Sequence, residues 1–103
     1  MTTASLHPAA LEELLAEIEY LEDAEPGLGE KYFSEVQRRV RQATRFPASG
    51  APILGFEARY DVRRFGLRTF PAAVITASIR GELIVIAVAH TRRDPEYWRE
   101  RLR

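Results

Sequence analysis

Apolar positions recur along this chain at two different periods, and the switch between them divides it. Up to Phe46 the spacing is helical. Leu11, Leu14, Leu15 and Ile18 follow the i, i+3, i+4, i+7 pattern and Leu21 continues the stripe, while Glu12, Glu13, Glu17, Glu19 and Glu22 cover the other side. Pro8 suits the first helical position because the N–H it lacks would go unused there, which leaves His7 as the helix-entry residue. Pro26-Gly27 breaks the pattern. A second helix is predicted from about Gly29 to Phe46, with Tyr32, Phe33, Val36, Val40 and Ala43 on one face and Arg38, Arg41 and Arg45 opposite. Pro47 ends it, and 48–52 reads as a loop. The turn between the helices is short, so they should pack as an antiparallel hairpin.

From about Phe56 the period becomes two. Ala58, Tyr60, Val62 and Arg64 alternate with Arg59, Asp61, Arg63 and Phe65. Phe70-Pro71 opens a further strand, 72–79, and Arg80-Gly81-Glu82 turns it into the apolar strand 83–90. That last strand is rich in β-branched residues and apolar on both faces, so it belongs in mid-sheet. Thr2 to His7 can add a short first strand, and Asp94 with Pro95 can start a short C-terminal helix. The predicted order is β-α-α-β-β-β-α. It is an α+β fold, a mainly antiparallel sheet with a helical hairpin on one face, within a single domain spanning residues 1–103.

Charge adds an asymmetry that the net value of zero conceals. Residues 1–35 carry nine acidic side chains and one basic one, Lys31, whereas 36–103 carry fourteen arginines against six acids. Arginine makes bidentate contacts with phosphate and carboxylate and stays charged when partly desolvated, so the basic half suggests an anionic partner. The absence of cysteine excludes disulfides and thiolate zinc sites, and two distant histidines make no metal cage. No apolar run approaches the roughly 20 residues that span a bilayer. No basic-then-apolar leader opens the chain, which gives the expectation of a cytoplasmic protein without membrane association.

Chemistry gathers at the end. The run Leu83 to Ala89 stops at His90-Thr91-Arg92-Arg93-Asp94-Pro95-Glu96-Tyr97-Trp98, so a rigid strand delivers imidazole, guanidinium, phenol and indole groups together. His90 reads as an acid–base group or as a hydrogen-bonding residue at a strand end. Of the adjacent aromatics, Trp98 is expected to seal the core edge and Tyr97 to be the more available. Arg92 and Arg93 either meet a partner or cap the sheet against acids such as Glu96. Arg38, Arg41 and Arg45 form either a solvated face or a contact surface for a partner.

The element order, Leu28-Gly29 between the helices, Arg63-Arg64, Phe70-Pro71, and Ala87-Val88-Ala89-His90 followed by Arg92-Arg93-Asp94-Pro95-Glu96-Tyr97-Trp98 together resemble the RelE/ParE toxin superfamily, the toxin halves of type II toxin–antitoxin pairs. The resemblance implies a plasmid-stabilisation type of bacterial toxin that needs no cofactor and is neutralised by a cognate antitoxin. It leaves two targets open: DNA gyrase, poisoned by protein contacts as ParE-type members do, or messenger RNA cut on the ribosome as RelE-type members do. A degenerate, non-toxic member that only pairs with its antitoxin is a third reading.

Metal-free RNA cleavage needs a base, an acid and cations for the phosphate charge. The resemblance puts Tyr97 on the tyrosine that RelE-type nucleases use near their end and Arg64 on one of their basic strand positions. It also makes His90 similar to the C-terminal histidine that other nucleases of the superfamily use. These three are the catalytic candidates, and Arg92, Arg93, Arg38, Arg41, Arg45 and Arg68 the candidates for target or nucleic-acid contact. Three other positions that carry cations in RelE-type nucleases fall on Gly66, Ala73 and Thr91, and the chain's one lysine, Lys31, lies in the hairpin. That pattern favours the gyrase target. Ala72 and Thr76 stand where aromatics are common in the superfamily, which leaves a flatter sheet face.

Overall fold

A computed structural model describes residues 4–56 and 58–102. The described chain runs β1 (Ser5–Leu6), α1 (Pro8–Ala24), α2 (Leu28–Arg45), β2 (Ala51–Pro52), β3 (Arg63–Gly66), β4 (Ala72–Ile79) and β5 (Glu82–His90), with 3₁₀ turns at Pro47–Ser49, Ala58–Tyr60 and Arg99–Leu102. The five strands lie in the order β1-β5-β4-β3-β2. β1 runs parallel to β5 and every other neighbouring pair is antiparallel. The expected α+β architecture is therefore present. Thr2 and Thr3, placed in the expected first strand, lie outside the described residues, as does Glu57.

The helices form where the sequence places them. His7 caps α1, its Nδ1 accepting the Ala9 N–H at 3.1 Å, and Pro8 occupies the first turn. Glu22 accepts the Gly27 and Gly29 N–H groups at 2.8 and 3.0 Å, so an anion sits at the positive start of α2. Gly29 is required for the close approach of the helices, since a Cβ there would stand 2.5 Å from the Ile18 carbonyl oxygen. The apolar stripe is narrower than the periodicity predicts. Leu14, Tyr32, Val36 and Ala43 are buried, but Leu11, Leu15 and Phe33 remain 45, 56 and 38% exposed. A two-helix layer on a small sheet covers only the side chains that face it.

The sheet has two apolar faces. The helical hairpin covers Phe65, Val74, Val85 and Val88. The other face, with Ala73, Ile75, Ala77, Ile86 and Ala87, is covered by Val62, Trp98 and Leu102. A β-bulge allows this in β5: Ile75 faces Ala87 while Thr76 faces Val85, so Ile86 is the extra residue and the pleat changes phase there. The β4–β5 hairpin turns on Arg80 and Gly81, both with positive φ (52° and 81°), as a two-residue turn of that twist requires.

Three sequence expectations give way. The alternation from Phe56 predicts one strand, but only Arg63–Gly66 pairs with β4; Ala58–Tyr60 is a 3₁₀ turn and Asp61 adopts φ 38°. The preceding residues fold over the C-terminal segment, where Phe56 stacks on Trp98 at 5.5 Å. A period of two needs a neighbouring strand, and β4 offers one to four residues only. Ala51–Pro52, expected as loop, extends the sheet beyond β3. The C-terminal helix is realised as tight turns. Asp94 does cap them, its Oδ1 accepting the Glu96 N–H at 3.0 Å, but the bonds that follow close over three residues and not four, from Tyr97 to Asp94, Arg99 to Glu96 and Arg101 to Trp98.

Candidate functional site around Glu13

β5 is paired on both sides only as far as Val85, where the His7 N–H donates to the Val85 carbonyl and β1 ends. Beyond that point side chains satisfy its free edge. The Val88 N–H donates to Glu13 Oε1 at 3.2 Å, and Arg101 Nη1 donates to the Ile86 carbonyl at 3.0 Å. Bonds of this kind blunt an edge that would otherwise invite another chain.

Glu13 is the centre of this arrangement. Arg101 grips its two oxygens through Nη1 and Nη2 at 2.9 and 3.0 Å, the Tyr97 hydroxyl donates to Oε2 at 2.5 Å, and Arg93 reaches Oε2 at 3.3 Å. Burial pushes the Glu13 carboxyl up, but the bonds from Arg101, Tyr97 and the Val88 N–H together outweigh it and hold the carboxyl below its ordinary range. Tyr97 moves the other way: burial and the bond to Glu13 push its phenol up to about 12. The Tyr97 ring also lies beneath the Arg93 guanidinium, 3.8 Å from its centre. Tyr97 and Arg101 thus face α1, while Trp98 and Leu102, each the next residue along, enter the far sheet face.

His90 stands between two clefts. On the α1 side a cleft of about 750 Å³ is lined by Glu12, Glu13, Glu17, Tyr32, Phe70, His90, Arg92 and Arg93, among others. On the β3 side a smaller one, about 370 Å³, brings Arg64, Ala73, His90, Thr91 and Arg93 together. Arg64 and His90 therefore border one cleft, although the register sets Arg64 beside Ile75 on the far face and His90 beside Ala72 on the helix-facing one, and Tyr97 is turned away from both onto Glu13. His90 Nδ1 accepts the Arg92 N–H at 3.0 Å, which keeps the ring proton on Nε2 and makes that nitrogen a donor. Gly66 pairs with Ala73 and Ala73 with Ala89, so this stretch of sheet carries small side chains where cations would be needed.

The other candidates lie apart. Arg38, Arg41 and Arg45 lie along α2 but have separate surroundings: Arg38 stands beside Glu35 and Thr69, Arg41 beside Leu11 and Phe33, and Arg45 over Phe46 at 5.9 Å. Arg68 gives its backbone N–H to Glu35, and its side chain is remote in sequence from the C-terminal cluster. Glu96 pairs with Arg99, so the partner of Arg93 is Glu13 and not the expected Glu96. Trp98 is 1% exposed, as expected of a core seal. Sequence reasoning missed Glu13 because it looks like one of several acids on the outer side of α1. The one signal for it was its spacing with Ala9, Ala16 and Glu17, which share one helix face. Among the described residues no group of three or more His, Asp or Glu could hold a metal ion, and no helix is long and apolar enough to cross a membrane.

A chain from the chromosomal ParDE TA system of P. aeruginosa has a similar fold, with a TM-score of 0.72 and 15% identity over 89% of this chain and 98% of that one. No curated sequence matches the chain. The family model for the ParE toxin of the type II toxin–antitoxin system parDE matches residues 4–95, from β1 through the edge-capped β5 to Pro95, and the chain belongs to that family.

Proposed function

We propose that the protein is a cytoplasmic growth-inhibiting toxin, neutralised by a cognate antitoxin, and that it acts on DNA gyrase through protein contacts. Family membership supports the toxin reading. The observation that carries the choice of target is the commitment of Tyr97. A phenol that donates to an ionised carboxylate and is pushed up to about 12 is a poor proton donor for a leaving 5′-oxygen near neutral pH. The cleft that His90 and Arg64 both border has Arg93 as its other cation, and Arg93 is already bonded to Glu13. An array of arginines at a rigid strand end suits contact with an acidic protein surface.

One observation favours a second reading, a ribosome-dependent endoribonuclease: His90 and Arg64 do share a cleft. Two assays separate the readings. Induction in cells should raise the DNA-damage response without site-specific mRNA decay, and the purified protein should inhibit supercoiling by gyrase. Cleavage of ribosome-bound mRNA that His90→Ala abolishes would replace the gyrase reading. Failure of the adjacent reading frame's product to form a complex on size-exclusion chromatography, or to relieve toxicity, would remove the antitoxin from it.

A further inference from the structure

We propose that the larger cleft, between α1 and the end of β5, is a receptor for a basic side chain, an arginine guanidinium or lysine ammonium presented by a partner protein. One wall is the α1 face bearing Glu12, Glu13, Glu17 and Tyr20. Glu13 is fully engaged, but Glu12 and Glu17 make no hydrogen bond or ion pair with any described residue. A group of carboxylates alone would be a solvated surface. The second observation is Tyr32, which is only 2% exposed, lines this cleft, and has a hydroxyl with no hydrogen-bond partner among the described residues. Burial, reinforced by the nearby charges of Glu17 and Glu13, keeps that phenol protonated. The rest of that side chain is buried and only the hydroxyl reaches the cleft, so it is held in place to accept a bond from an incoming donor.

The aromatic content points to the same ligand. Tyr32 meets Phe70 edge to face at 5.2 Å, and Tyr20 stands 68% exposed on the α1 wall. Carboxylates combined with aromatic faces are the chemistry that holds a cation. The opposite wall offers an anion little, since Arg101 and Arg93 are both on Glu13. Arg92, exposed on that wall, is the cation left over, placed to meet a carbonyl of the peptide that brings the basic side chain. A cleft of about 750 Å³ exceeds one guanidinium and leaves room for flanking backbone.

The test is an NMR titration of the isolated protein with N-acetyl-arginine amide, the neutral isostere N-acetyl-citrulline amide, and spermidine. Capped arginine should give saturable shifts in the amides of residues 12–20 and Val88, with the citrulline compound roughly tenfold weaker or worse. Glu17→Gln should weaken arginine binding by roughly tenfold and Tyr32→Phe by several-fold, both at unchanged melting temperature, because neither variant removes a bond within the protein. Equal response to citrulline, absence of saturable shifts, or indifference to both variants would overturn the proposal. A preference for spermidine over capped arginine would overturn the assignment to a protein side chain. The titration needs neither toxicity nor a partner protein, so its failure and that of the toxin reading are separate events.

Discussion

Glu35 and Glu13 each carry a carboxylate from the helical hairpin to the sheet, yet they anchor different kinds of structure. Glu35, 3% exposed, accepts the backbone N–H groups of Arg68 and Thr69 and so pins the loop before β4. Burial pushes its carboxyl up, and the Thr69 and Arg68 N–H groups outweigh that and hold it low. Glu13 instead gathers side chains from the chain's last dozen residues together with one backbone N–H. A backbone anchor is indifferent to which residues occupy the loop. A side-chain anchor depends on Tyr97 and Arg101 themselves, so the placement of the C-terminal cluster is written into those residues.

Substitutions at and around the two anchors put this difference to the test. Trp98→Ala should have the largest effect, about 3–5 kcal/mol, because it empties the site that seats the C-terminal segment against the sheet. Thermal melting should fall steeply, and a variant that melts normally would mean the segment is held by Glu13 alone. Glu13→Gln should cost about 1.5–3 kcal/mol, since charge-assisted bonds from Arg101 and Tyr97 become neutral ones. It should also lower the Tyr97 phenol from about 12 toward its ordinary value, read by ultraviolet titration. Because the folded-state phenol is raised, Tyr97 contributes stability that is full below about pH 10 and lost as pH rises through about 12.

Glu35→Gln should be milder, about 0.5–1.5 kcal/mol, because the amide oxygen still accepts a backbone N–H. A larger loss than for Glu13→Gln would invert the ranking of the two anchors. Both carboxyls are lowered in the folded state. Their stabilisation is therefore complete above the ordinary carboxylate range and disappears as pH falls through the folded-state values. Melting temperature against pH should show an acid branch that each glutamine variant flattens. The smallest effect on stability, within about 0.5 kcal/mol, is expected for Arg92→Ala, whose exposed side chain is bonded to no other among the described residues. The same variant should reduce growth inhibition on induction; full toxicity would move the active surface away from the strand end. Tyr97→Phe should differ from it in stability, since the phenol is bonded to Glu13.

The helices, the β4–β5 hairpin and the buried Trp98 were legible because each rests on local signals: Pro8 and Pro26-Gly27 as boundaries, the 3.6-residue stripe, and a glycine at the turn. What was not legible depends on partners distant in the chain. Nothing near Phe56 says that β4 will pair with only Arg63–Gly66, and nothing near Glu13 says that Arg101, 88 residues later, will close on it. His90 and Arg64 were found as individual residues, but the register of β3, β4 and β5 sets them on opposite sheet faces, although both border one cleft. Tyr97 is held out of that cleft by its bond to Glu13.

The extra residue in β5 makes the strand end a matter of counting. Val85 and Val88 share the helix-facing side although they are an odd number apart, because Ile86 absorbs one step. Deleting Ile86 would restore a regular ladder, with Val85 still opposite Thr76 and Ala87 still opposite Ile75, so Val88 would stay toward the hairpin and His90 on its present side. The far face would lose one isoleucine beside Trp98, and no other residue would change face. Ile86 is thus a residue the ladder does not count, and the strand end keeps its orientation with or without it.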